Sequence, residues 1–162
     1  MFIYIVRHAW AGEFGDPDWP DDRLRPLTRE GRQRFAHVAK TLADRDVRPR
    51  IIATSPLVRC RQTAEILSRY LKGQPPVVDV TALSPGSDVE TLLRWTADQN
   101  GGDVAWVGHA PDVSWLLASL VGGDGNHYRF AKGTCAAARF DGEVQAGAGT
   151  LHWLVTANML GC

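Results

Sequence analysis

The chain has 162 residues, 44% hydrophobic and 22% charged, with eighteen basic residues balanced by eighteen acidic ones. That length and composition predict one globular domain over residues 1–162, able to bury about 70% of its unfolded surface without a disulfide or metal. The charge balance excludes a global field that would draw the protein to nucleic acid or anionic lipid, and no apolar run approaches the roughly 20 residues of a membrane span.

Cys60, Cys135 and Cys162 lie far apart with no C-x-x-C pattern, which suits a reducing compartment and argues against structural zinc. The first apolar run is cut off by Arg7, short of the roughly 7–15 residues of a signal-peptide core. A cytoplasmic location is therefore expected, and without a heptad seam the expected state is a monomer.

Residues 2–6 (FIYIV) open the chain as a short buried strand. A helix follows Thr28 as N-cap, with Phe35, Val38, Ala39 and Leu42 spaced i, i+3, i+4, i+7. Residues 50–54 form the next strand, followed by a helix marked by Ala64, Leu67 and Leu71 that Gly73 ends. A strand over 76–80 leads to a helix beginning at residues 87–90, where Ser87 and Glu90 have capping-box spacing. A strand over 103–108 leads to a helix carrying Val113, Leu116, Leu117 and Leu120, with Pro111 at its first turn and Gly122-Gly123 beyond its end. Residues 135–140 and 150–156 are two weaker strands, split by a turn around Gly142. The alternation predicts a three-layer α/β/α sandwich with a mainly parallel central sheet.

Ligands of such sheets collect outside the carboxyl ends of the strands. Arg7 and His8 end the first strand, Ser55 to Arg59 follow the second, and Gly108-His109 end a later one. Arginine offers a rigid fork of donors suited to phosphate oxygens, and it stays charged. Arginines clustered around a histidine make a poor metal site, because a dication is repelled; no metal and no cofactor are expected. Histidine, with an ordinary pKa near 6.5, can be a nucleophile, and nearby positive charge keeps its lone pair free. The set predicts a phosphoryl-transfer site.

Arg7-His8-Ala9 resembles the R-H-G/A signature of the histidine phosphatase superfamily, which includes phosphoglycerate mutases and acid phosphatases. Ser55 to Ala64 (SPLVRCRQTA) resembles its S-x-x-x-R-x-x-Q-T-A motif, Val107 to Ala110 its third, and Arg25 to Gly31 (RPLTREG) the L-T-x-x-G that opens its first helix. The resemblance implies a phosphoglycerate mutase-like fold with His8 as the phosphorylated nucleophile. Arg7, Arg59 and His109 would bind the phosphoryl oxygens, and Arg25, Ser55 and Asp88 would be further substrate-binding residues. Members that cleave alkyl phosphates use a carboxylic acid as proton donor. Here Asp88 and Glu90 are better explained as helix-N-terminal residues, and Asp16, Asp18, Asp21 and Asp22 are loop alternatives.

The small bacterial protein-phosphohistidine phosphatases of SixA type are the most similar group, being short and carrying a segment like that at residues 83–88. That resemblance implies a phosphorylated partner, the phosphohistidine of a signalling or phosphorelay protein, whose nitrogen leaving group needs no such acid. The alternatives are a small-molecule phosphomonoesterase or mutase of the same superfamily, and a non-catalytic phosphoprotein-binding module. Trp10 and Trp19 either face a partner or pin their own loop. Cys60 is either activated by Arg59 or packed and inert, and Arg25 either reaches the phosphate or is solvated. His37, His127 and His152 are read as solvated or structural.

Overall fold

The computed structural model describes residues 1–162. Its core is a six-stranded sheet: β1 (Phe2–Arg7), β2 (Ile51–Thr54), β3 (Val77–Asp79), β4 (Val104–Gly108), β5 (Cys135–Arg139) and β6 (Thr150–Val155). Four helices accompany it: α1 (Arg29–Asp44), α2 (Val58–Tyr70), α3 (Val89–Ala97) and α4 (Asp112–Val121). The strand order is β3-β2-β4-β1-β5-β6, with β1 to β4 mutually parallel and β5 antiparallel to both of its neighbours.

Alternate strand residues divide between two cores, as the period of two requires. Tyr4, Val6, Ala105 and Val107 face α1 and α2, packing with Phe35, Val38, Leu42 and Leu67. Ile3, Ile5, Val104 and Trp106 face the other way, against Leu92 of α3 and Val113, Leu117 and Leu120 of α4. The three-layer sandwich is as expected, and β1 and β4 are buried on both faces because helices cover both.

Thr28 caps α1, its Oγ1 accepting from Gly31 N–H at 2.9 Å. Gly31 is required there: a Cβ would collide with the Trp10 carbonyl oxygen and come within 2.8 Å of Trp10 Cβ. The first turn of α1 thus lies directly on the loop that leaves β1.

Four local expectations differ. α3 is capped by Asp88 rather than Ser87: the Asp88 carboxylate accepts from Thr91 N–H at 3.1 Å, while Ser87 Oγ donates to the Ser84 carbonyl. α2 ends at Tyr70, so Leu71 packs into the core from just beyond the helix. The β5–β6 connection is a loop over residues 140–149, because Phe140 buries in the second core and Gly147 and Gly149 donate to Ser119 and Leu120 carbonyls. Pro111 is the residue before α4, one position earlier than predicted.

Candidate active site

Register brings three strand ends side by side. Arg7 of β1 pairs with Gly108 of β4, His8 N–H donates to the Gly108 carbonyl at 3.0 Å, and Ser55 N–H donates to Val107 at 3.0 Å. His109 follows the central strand, with His8 on one side and Ser55 on the other. The first turn of α2 then directs Arg59 at the same edge. The residues line a cavity of about 620 Å³ containing Arg7, His8, Arg25, Arg59 and His109.

His8 is buried, and its ring is held by a 2.8 Å contact between Nδ1 and the Ala9 carbonyl oxygen. A carbonyl only accepts, so Nδ1 must carry the proton. Burial pushes the His8 pKa down to about 3; the Ala9 carbonyl opposes this, and His109, Arg59 and Arg7 reinforce it. The ring therefore holds a single proton at neutral pH, and Nε2 keeps a free lone pair. Desolvation, more than the surrounding cations, keeps that lone pair available.

His109 stands with its ring centroid 5.4 Å from that of His8, edge to face. Burial first, then the charge of Arg59, lower its pKa to about 4, so it too is neutral. Its Nε2 lies 2.8 Å from Ser55 Oγ and 3.4 Å from Cys60 Sγ. Ser55 is fully buried and does not line the cavity. Its expected place on the substrate is corrected: Ser55 orients His109 instead, because its hydroxyl is enclosed behind the ring.

Arg7 donates from Nη1 to the Phe130 carbonyl at 2.7 Å, and its buried Nε has no partner. Arg59 donates from Nη1 to the Asp22 carbonyl at 2.8 Å and sits 3.1 Å from the Asp22 carboxylate; its Nε is likewise unpartnered. Neither Nη2 is engaged by a protein acceptor, so both guanidiniums have donors to give an anion in the cavity. Arg25, buried, lines the cavity and is fixed by Asp22 at 2.7 Å and the Gly12 carbonyl at 2.6 Å.

Of the loop acids considered, only Asp22 lines the cavity. Burial opposes its ionisation, but the hydrogen bond from Arg25 and the charge of Arg59 outweigh that and hold its pKa below the ordinary value. Asp22 is thus an ionised brace between two arginines. Asp88 is a second correction. It is exposed, its carboxylate is used by Thr91 N–H and by Thr91 Oγ1 at 2.7 Å, and it does not line the cavity, although Pro85 and Gly86 of the same segment do.

Glu13, Asp112 and Lys132 line the cavity and were not anticipated. Asp112 was legible in principle as a first-turn residue of α4 close after His109. Lys132 and the Phe130 carbonyl arrive from a loop with no periodic signal. The Gln62-Thr63 pair is a brace: Thr63 Oγ1 accepts from Ala9 N–H at 3.0 Å and donates to the Arg59 carbonyl at 2.7 Å, while Gln62 Oε1 accepts from Leu27 N–H at 2.9 Å. Cys60 is packed, its thiol pushed up to about 12 by burial against the opposing charge of Arg59. Trp10 is half-buried under the Arg34 guanidinium, 4.0 Å from its ring centroid, on its own scaffold. His37, His127 and His152 are exposed. No group of three or more His, Cys, Asp or Glu side chains is placed to hold a metal ion, and no helix is long and apolar enough to cross a membrane.

Known proteins resemble the chain in both sequence and fold. The family model of the histidine phosphatase superfamily (branch 1) matches residues 3–83. An uncharacterised protein of Picosynechococcus sp. is 36% identical over 82% of this chain and 81% of its own length. The phosphohistidine phosphatase SixA of Escherichia coli is 27% identical over 94% of this chain and 92% of its own. The solved structure of a protein histidine phosphatase SixA complexed with tungstate superposes with a TM-score of 0.85 at 26% identity, covering 99% of each chain. The α/β fold is the phosphoglycerate mutase-like one of those structures. With its strand-end Arg7-His8 pair inside the matched span, the chain belongs to the histidine phosphatase superfamily (branch 1).

Proposed function

We propose that the protein is a phosphohistidine phosphatase working through a phosphoenzyme on His8. The observation that carries this reading is the His8 ring, with Nδ1 donating to the Ala9 carbonyl and a pKa near 3, which leaves a nucleophilic Nε2 beside Arg7 and Arg59. In the first step the Nε2 lone pair attacks phosphorus. The bond from phosphorus to the leaving nitrogen breaks, and its electron pair stays on a substrate imidazole already protonated at its other nitrogen, which departs neutral. In the second step water attacks the phosphohistidine, the Nε2–P bond breaks with its pair returning to Nε2, and the water proton is lost to solvent or phosphate. Arg7, Arg59 and neutral His109, oriented by Ser55, stabilise the phosphoryl oxygens in both steps, so positioning and charge carry most of the rate. The arginines take the part that a metal plays elsewhere.

Three features support phosphohistidine as substrate. The SixA relatives are phosphohistidine phosphatases. The carboxylate braced between Arg25 and Arg59 is held ionised and is no proton donor at neutral pH. A nitrogen leaving group needs none. The small-molecule esterase reading is favoured by Glu13 and Asp112, which line the cavity and would have to donate a proton to an alkoxide. In this reading the enzyme acts as a single-domain monomer, and the three free cysteines suit a reducing compartment such as the cytoplasm.

The test compares kcat/KM on a phosphohistidine-bearing protein, a phosphoserine peptide and phosphoglycerate. The proposal expects the phosphohistidine substrate to dominate. Equal rates on the esters would replace it with the esterase reading, and no turnover on any would leave a binding module.

A further inference from the structure

A second cavity, about 750 Å³, lies beside the first, and Arg7 and Lys132 line both. Its charged lining is Arg7, Arg34, Arg129 and Lys132, with no aspartate or glutamate. In a chain whose charges balance overall, this is a local excess of four cations. Arg34, Arg129 and Lys132 form no salt bridge. Arg34 is held in place, stacked on Trp10 and donating to the Cys162 carbonyl at 3.2 Å, so its ordering is already met before any ligand arrives. Clustered like charges raise the potential inside a cleft, and an anion there relieves their repulsion.

We propose that this cavity is a subsite for an acidic side chain of the phosphorylated partner, seated next to its phosphohistidine. The proposal rests on the phosphoprotein reading above. Arg7 and Lys132 line both cavities, so a phosphoryl group beside His8 and a carboxylate beside Arg129 can be held at once. A cavity of 750 Å³ is too roomy for one free anion. Trp10, Phe130 and Ala157 give it apolar wall that suits the carbon stem of a glutamate more than a bare oxyanion.

The experiment uses two synthetic phosphohistidine peptides, identical except that one carries glutamates and the other glutamines beside the phosphorylated residue. Wild type, Arg129→Ala and the double variant Arg34→Gln/Arg129→Ala are compared, with phosphoimidazole as the small substrate. One or two charge-assisted contacts predict a kcat/KM for the glutamate peptide about tenfold above that for the glutamine peptide, expressed in KM. The double variant should lose that preference while its kcat and its rate on phosphoimidazole stay unchanged. Calorimetric titration with the unphosphorylated peptides reads the same preference without turnover. Equal binding of both peptides by wild type, or a preference that survives the double variant, overturns the proposal. So does a second equivalent of bound inorganic phosphate without any glutamate preference, which would assign the cavity to a small anion. If phosphoserine but not phosphohistidine peptides are hydrolysed while the calorimetric preference stands, the phosphohistidine reading falls and the acidic subsite remains.

Discussion

Lowering the pH from 7 to 5 should cost the folded protein about 4 kcal/mol through His8 and His109 alone. Both folded values, about 3 and about 4, lie below the ordinary value near 6.5. Between those limits the unfolded chain binds protons that the folded chain refuses. Stability therefore rises with pH across the window and is lost as pH falls below about 6.5, until the folded values are reached. A pH of 5 lies about 1.5 units below the ordinary pKa that each imidazole has in the unfolded chain, worth about 2 kcal/mol per ring at about 1.36 kcal/mol per unit. Asp22, with its depressed pKa, contributes in the opposite range: its stabilisation is present above the ordinary carboxylate value near 4 and is lost only below it. The window from 7 to 5 thus isolates the histidines. Urea denaturation at pH 7, 6 and 5 should show His8→Asn and His109→Asn each losing about 2 kcal/mol less than wild type over that span. Parallel pH profiles for wild type and both variants would refute the neutral, desolvated rings on which the nucleophile argument depends.

Two further substitutions probe the frame and the anion site. Gly31→Ala places a methyl against the Trp10 carbonyl, where backbone cannot give way, and should destabilise by about 2 kcal/mol in urea denaturation at unchanged slope. Arg59→Lys keeps the charge but loses the fork that holds Asp22 and leaves Nη2 for the phosphoryl group; kcat/KM should fall about 10²-fold in steady-state assays, with the urea midpoint little changed.

Strand-end chemistry was readable from the sequence because it follows from a short-range rule. Apolar runs such as residues 2–6 and 103–108 define where a buried strand stops, and a parallel sheet aligns those stops along one edge. Arg7, His8 and His109 follow from that rule, and Arg59 from the helix that opens just after β2. Side-chain partners beyond the edge were not readable. Ser55 and Asp88 stand near the cavity in sequence, but the first is enclosed behind His109 and the second is taken by the N-terminus of α3. Asp22 could not be distinguished from Asp16, Asp18 and Asp21 in a loop without periodicity; the two arginines that select it converge from Arg25 and from α2. Lys132 and the Phe130 carbonyl reach Arg7 across more than a hundred residues of chain, and no local pattern encodes such a contact.

The same geometry explains why the motif residues that do no chemistry matter to those that do. Thr63 ties the Ala9 amide to the Arg59 carbonyl, so the loop after β1 and the first turn of α2 are held by one hydroxyl. Gln62 secures Leu27 just before α1. Arg7 and Arg59 sit on β1 and α2, and His8 directly follows β1, which suits the preorganised stabilisation of a phosphoryl group.

The most direct test of the central claim is mass spectrometry of the protein quenched at alkaline pH during turnover of a phosphohistidine substrate. The account predicts one phosphoryl group on His8, attached at Nε2, appearing with substrate, decaying as substrate is exhausted, and absent from His8→Asn, which should also be inactive. Turnover with no phosphorylated intermediate, or a label on any residue other than His8, would contradict it.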